Sequence, residues 1–272
     1  MTGDVPHISK IRSSTILYCY DELVKASERG DVAKIREMAP WTIPTMNQGY
    51  PLSMAALYGH EECVEELLTH PKMTSYAGRA MRYAAPKGQH ACVALLAPWA
   101  DDDSFGHCYS LAAQYGHINT LKILLQYNTN PLHVAQAIGV AAAEGQLVCL
   151  QKLLDVRGYT QCFGEILSKA LVQAVRKEHV ACVKELLGGV DPLSDGSQAL
   201  QSCFENEMFN EEIFALLFPV SDATLALAHF AKDFEWKTDK IQWLTQRIER
   251  ERLCLAVNTT ISERDKQITR KI

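Results

Sequence analysis

The sequence predicts an all-α solenoid of about eight short helix–turn–helix repeats, and three regularities carry that prediction. An anchor position, filled by Gly30, Gly59, Gly88, Gly116 and Gly145 and then by Glu178, Met208 and Trp236, recurs at steps of 29, 29, 28, 29, 33, 30 and 28 residues. Five residues after each anchor stand Ile35, Val64, Val93, Leu121, Leu150, Val183, Ile213 and Ile241; eight residues after it stand Met38, Leu67, Leu96, Leu124, Leu153, Leu186, Leu216 and Leu244. Four residues before it the column is Ala26, Ala55, Ala84, Ala112, Ala141 and Ala174, and it fails at Phe204 and Lys232. A fixed period of this size marks a stack of similar supersecondary units, none of which can bury its apolar face alone.

Each element follows from these columns. Two apolar positions three residues apart share one face of a helix, which defines the second helix of the unit. Alanine before the anchor lets neighbouring helices approach closely. A glycine between the two helices suits the left-handed conformation of a tight helix–helix turn, where a Cβ is penalised. The last three units lack that glycine, so they have drifted or close the turn differently. The resulting organisation is a flexible N-terminus over 1–14, six repeats over 15–190, two divergent repeats with a charged capping helix over 191–258, and a flexible tail over 259–272. Asp21, Glu22, Lys25 and Glu28 give the first helix the polar component a terminal unit needs. The tail is a place for a secretion signal, which composition alone does not establish.

Composition narrows the class further. The chain has 272 residues, 47% of them hydrophobic, enough for a core and more than one compact core usually holds. A net charge of -5 offers no basic footprint for nucleic acid. No stretch approaches the roughly 18 uncharged apolar residues of a membrane span. The start, with Asp4, Pro6 and His7, does not look like a secretory leader. Nine cysteines, with no pair at the two-residue gap of a redox or zinc motif, suit free thiols in a reducing compartment, hence the cytoplasm.

Tyr50-Pro51-Leu52-Ser53-Met54-Ala55-Ala56-Leu57-Tyr58-Gly59-His60 resembles the ankyrin signature T-P-L-H-x-A-A-x-x-G-H. Leu111-Ala112-Ala113-Gln114-Tyr115-Gly116-His117 repeats its second half, and Val140-Ala141-Ala142-Ala143-Glu144-Gly145 follows the same pattern. The resemblance is specific over about residues 45–190 and weakens beyond. The ankyrin unit is 33 residues long, so the shorter units here imply β-hairpin fingers mostly lost and replaced by plain turns. Shortened repeats of this style are similar to those of intracellular-bacterial effectors and large DNA viruses. The tetratricopeptide solenoid, with a period of 34, fits less well.

Candidate chemistry dissolves when it is placed on the repeat. Cys63, Cys92, Cys149 and Cys182 all lie four residues after the anchor, where another unit has Thr120; a periodic Cys/Thr column favours small, semi-buried packing over a ligand or nucleophile. His60, His117 and His179 directly follow the anchor, and the resemblance implies that they bond backbone of the neighbouring turn. His60-Glu61-Glu62-Cys63-Val64 starts like a zinc-protease helix but lacks the second histidine. Adjacent His107 and Cys108 would face different sides of a helix, against a Cys–His dyad. Trp41 and Trp99, eleven residues after their anchors, fit a staple sealing the inter-repeat loop better than a binding aromatic. Asp101-Asp102-Asp103 reads as a helix start and not a calcium loop. No phosphate-binding glycine motif occurs.

The expected function is a protein–protein interaction module without cofactor, metal or catalytic residues. By the effector resemblance it would be secreted and bind a host protein in the host cytoplasm. The alternative is an enzyme whose site is built on residues 190–258, with a residue such as Cys203 as nucleophile. The ankyrin resemblance implies docking through the residues just before the anchor: Leu57, Tyr58, Lys87, Gln114, Tyr115, Glu144, Arg176 and Lys177. Tyr58 and Tyr115 are the expected hot spots, the competing possibility being that both rings only cover neighbouring turns.

Overall fold

The computed structural model describes residues 13–42, 46–70, 72–156, 164–189, 197–206, 209–234 and 237–269, except for the side chains at 13, 14, 233 and 254–269. The described residues form helix pairs in chain order: α1 (Ser13–Arg29) with α2 (Val32–Met38), α3 (Met46–Tyr58) with α4 (Glu61–Leu68), α5 (Ala77–Ala84) with α6 (His90–Leu96), and α7 (Asp102–Gln114) with α8 (Ile118–Tyr127). They continue as α9 (Pro131–Ala143) with α10 (Leu147–Leu154), α11 (Gly164–Arg176) with α12 (Val180–Leu187), α13 (Gln198–Glu205) with α14 (Glu211–Leu217), and α15 (Ala223–Asp233) with α16 (Thr238–Thr269). Each first helix packs on the first helix of the next unit, and second helices do likewise from α2 to α14, giving two layers. No strand occurs among the described residues, and short 3-10 turns such as Ala39–Trp41 and Ala97–Trp99 follow the second helices where hairpin fingers would stand.

The core lies between the layers and runs the length of the array. The alanines of the column, Ala26 to Ala174, are buried, as are Ile35, Val64, Val93, Leu121, Leu150 and Val183 of the second helices. The turn joining the two helices is fixed by one recurring bond: the amide after the anchor donates to the carbonyl of the column alanine. Examples are Asp31 N to Ala26 O at 2.9 Å, His60 N to Ala55 O at 2.9 Å and His117 N to Ala112 O at 2.8 Å. This is the six-residue closure of a Schellman turn, which needs a left-handed residue. Gly59 supplies it with φ +78°.

The structure departs from the repeat columns at several places. Glu178 takes φ +60° in place of a glycine, and His179 N still bonds Ala174 O at 2.9 Å, so the sixth unit closes like the others. In the seventh unit the second helix is shifted by one residue, because Ile213, Phe214 and Leu217 occupy the buried places of Cys182, Val183 and Leu186. Leu217, not Leu216, is therefore the inward residue there. In the same unit Leu200, Cys203 and Phe204 match Leu171, Ala174 and Val175, which puts Cys203 in the alanine column. The remaining two anchors, Met208 and Trp236, lie outside the described residues. Trp41 and Trp99, each on the 3-10 turn that follows its second helix, are 43% and 57% exposed. α16 runs for 32 residues, Thr238–Thr269, and so extends past residue 258. Its last turns contain strong helix formers such as Glu263, Arg264, Lys266 and Gln267.

Among the described residues no single helix is long and apolar enough to cross a membrane.

Candidate partner-binding surface

The residue after the anchor ties each unit to the one before. His60 Nε2 lies 3.0 Å from Glu28 O, His117 Nε2 3.0 Å from Pro86 O, and His179 Nε2 3.1 Å from Ala143 O. Gln146 does the same work, donating from Nε2 to Gln114 O at 3.3 Å. Each of these side chains satisfies a carbonyl left open at the end of a first helix. The ring or amide rides over the preceding anchor, where a Cβ on Gly59 would meet Gln89 Oε1 at 2.4 Å. Glycine is thus required twice at that position, for its φ and for the space.

This latch presents the residues just before the anchor to solvent. Tyr58 and Tyr115 are 53% and 54% exposed, and each ring stacks on the histidine of its own turn with centroids 6.3 Å apart. The rings therefore touch the turn and remain about half exposed. Lys87, Gln114, Glu144, Arg176 and Lys177 are exposed and Leu57 is half-buried. Arg176 sits 3.5 Å from Glu205 of the next unit. The eight residues share one edge of the first-helix layer.

A second feature of that layer was not singled out from the sequence. Gln48, Arg79, Arg82, Tyr83, His107, Ser110 and Leu111 line an open groove of about 660 Å3 that crosses α3, α5 and α7. Arg79 Nη1 donates to Gln48 Oε1 across it. The signal was present as Arg79 and Arg82, three apart on a first helix and hence on one face, but the repeat alignment directs attention to the turn and not to the helix body.

The thiols and acids take structural roles. Cys63, Cys92, Cys149 and Cys182 are buried. Burial pushes the thiol of Cys63 up to about 11 and that of Cys92 to about 12, so both are protonated and unreactive at neutral pH. Cys203 is buried as well, and desolvation pushes it up to about 12. Cys108 is buried while His107 is exposed, so the two face apart. Asp101 caps α7, accepting from Ser104 N at 2.8 Å, and that bonding lowers its carboxyl. Asp102 accepts from Asn128 Nδ2 at 2.7 Å and Asn130 Nδ2 at 2.9 Å, and its Oδ2 lies 3.0 Å from His133 Nε2. It bolts the fourth unit to the fifth. No group of three or more His, Cys, Asp or Glu among the described residues is disposed to hold a metal.

These paired layers and glycine-anchored latches define an ankyrin-repeat fold. The solved structure of the ankyrin repeat domain of human ASB11 matches with a TM-score of 0.60 and 23% sequence identity, over 72% of this chain and 96% of that one. No protein-family model and no curated protein matches the chain.

Proposed function

We propose that this chain is a protein–protein interaction module that docks its partner on the first-helix layer, along the edge formed by Leu57, Tyr58, Lys87, Gln114, Tyr115, Glu144, Arg176 and Lys177. The observation that carries this reading is the pair Tyr58 and Tyr115. Both rings are held at the same place two units apart, half exposed, in a layer whose core needs neither. An aromatic ring already fixed against its own turn loses little freedom on binding, which is what an interface anchor requires. Arg176 and Lys177 add positive charge at one end, where an acidic patch of the partner fits. Some support for a binding role over catalysis comes from Cys203, an example of a nucleophile for an enzyme site in residues 190–258, which is buried. Cytoplasmic placement and the role of a secreted effector in a host cell rest on the free thiols and the shortened repeats, and a translocation reporter fused to the chain tests the latter.

The experiment is the double variant Tyr58→Ala with Tyr115→Ala. Partner binding weakens by at least about 2 kcal/mol, the hot-spot scale, while the thermal midpoint changes little. A double variant that binds its partner normally places the interface elsewhere.

A further inference from the structure

We propose that the groove across α3, α5 and α7 is the docking site of an acidic peptide segment of the partner, with its carboxylates on Arg79 and Arg82. This inference rests on the interaction-module reading and adds the chemistry of what is bound.

Charge distribution is the first support. The chain carries net charge -5, yet the helix sequences of α3 and α5 contain no Asp or Glu. The carboxylates of α7 are confined to its first turn, Asp102 and Asp103, and Asp102 is taken up by Asn128 and Asn130. The second helix between α3 and α5, α4, carries four acids, Glu61, Glu62, Glu65 and Glu66. Acids of second helices pair between units, as in Arg36 with Glu66 at 2.7 Å, Lys184 with Glu212 at 2.6 Å and Arg247 with Glu211 at 2.7 Å. Among the described residues neither Arg79 nor Arg82 has a carboxylate within ion-pair distance; Asp101 at the start of α7 feels the charge of Arg82, but its carboxylate is engaged in capping Ser104. A guanidinium stays charged at any working pH and presents a planar fork that fits a carboxylate with two parallel bonds. Two such forks one helical turn apart, in a groove with no acid in its lining, call for an anion from outside.

Backbone geometry is the second support. Asn47, Gln48 and Gly49 are left-handed in succession, at φ 50°, 58° and 67°, before the right-handed part of α3 begins. Two of the three carry a Cβ, a costly conformation that persists only where its surroundings impose it. Its effect is to bring Gln48 to the groove, where its oxygen accepts from Arg79 and its amide remains available to a ligand. Tyr83 and Leu111 add apolar wall, which suits a peptide with an apolar side chain beside its acids. A nucleic acid fits poorly, since two arginines do not track a phosphate backbone and the rest of the chain repels it.

Fluorescence anisotropy on the full chain tests this with a labelled peptide of alternating glutamate and serine, and with its glutamine-for-glutamate twin as control. The glutamate peptide binds, the twin does not, and added salt weakens binding because the contact is between charges. R79Q combined with R82Q weakens the glutamate peptide at least about tenfold, and R79K with R82K recovers part of the loss by keeping charge without the fork. Arg82 is exposed and lies outside the bond to Gln48, so R82Q alone gives the same direction of change if the double variant folds poorly. Equal binding of the glutamine twin, no effect of R79Q with R82Q, or an oligonucleotide that displaces the peptide each overturns the assignment. A partner lost in Y58A with Y115A but retained in R79Q with R82Q also overturns it, and leaves the interaction module standing.

Discussion

From Ser13 to Gly189 the array is built on alanine; from Ser197 to Leu253 it is built on phenylalanine. In the first region a buried alanine on each first helix lets backbones meet closely, every unit repeats the same turn bond, and His60, His117, Gln146 and His179 repeat the same inter-unit latch. In the second, Cys203 takes the alanine place and Phe204 beside it packs on Phe214 and Phe230, with ring centroids 6.4 Å and 6.1 Å away. Phe209 stands near the latch position and packs edge-on to Trp243 at 4.8 Å. One region thus gains order from backbone repetition, the other from irregular aromatic filling. A polar tie survives there in altered form: Asn206 donates to Val175 O at 3.2 Å and Lys240 to Asn206 O at 2.6 Å. Close repetition leaves surface side chains free for recognition, whereas aromatic filling mainly closes the end of the stack.

The largest expected effect breaks the aromatic region alone. Phe204→Ala leaves a cavity between α13, α14 and α15 and costs about 3–5 kcal/mol, the usual range for a fully buried phenylalanine. Because each unit of a solenoid contacts only its neighbours, the damage should stay local. Hydrogen exchange should show protection lost over residues 197–253 and kept over 13–189. A uniform loss along the chain would mean that the two regions fold as one and that the contrast between them is only compositional.

The buried thiols probe both regions by pH. A thiol is neutral when protonated, and burial raises Cys63 to about 11 and Cys203 to about 12 from an ordinary value of 9.0. The unfolded chain therefore releases these protons first. Their contribution is fully present below about pH 9 and is lost as pH rises toward the folded values, at about 1.4 kcal/mol per pH unit for each thiol. Cys63→Ala and Cys203→Ala should each reduce the alkaline slope of stability by one proton, measured by denaturant titration between those pH values. A variant that leaves the slope unchanged marks its cysteine as exposed.

Sequence periodicity made the first region legible because the same physical demand recurs there in every unit. The alanine column, the aliphatic column and His60, His117 and His179 all stand where the repeat places them. The second region was less legible because a shift of one residue in α14 moves Leu217 to the core and leaves the pattern of aliphatic letters almost intact, Leu216 being next to it. On the surface, the turn residues could be placed by count. The groove could not, since it depends on side chains from three helices and on the left-handed run at Asn47–Gly49, none of which has a period.

The smallest expected effect lies at the border between the regions. Glu178 is the anchor of the last regular unit and holds φ +60° without being glycine. At the earlier anchors two demands coincide, positive φ and a His or Gln of the next unit riding on the Cα. After Glu178 the next unit supplies Phe209 and a tie from Asn206 to Val175 O, so the second demand is relaxed and a side chain is tolerated. The first demand remains. Glu178→Gly should therefore stabilise the protein by about 1 kcal/mol, the cost of a left-handed conformation for a residue with a Cβ, offset in part by the greater freedom of glycine in the unfolded chain. The reverse change, Gly145→Ala, meets both demands and should destabilise by more, since its Cβ would come within 2.7 Å of His179 Nδ1. Thermal melts of the two variants decide the matter. Similar losses in both would show that Glu178 sits under the same latch as the glycines, and that the boundary between the two regions falls later in the chain.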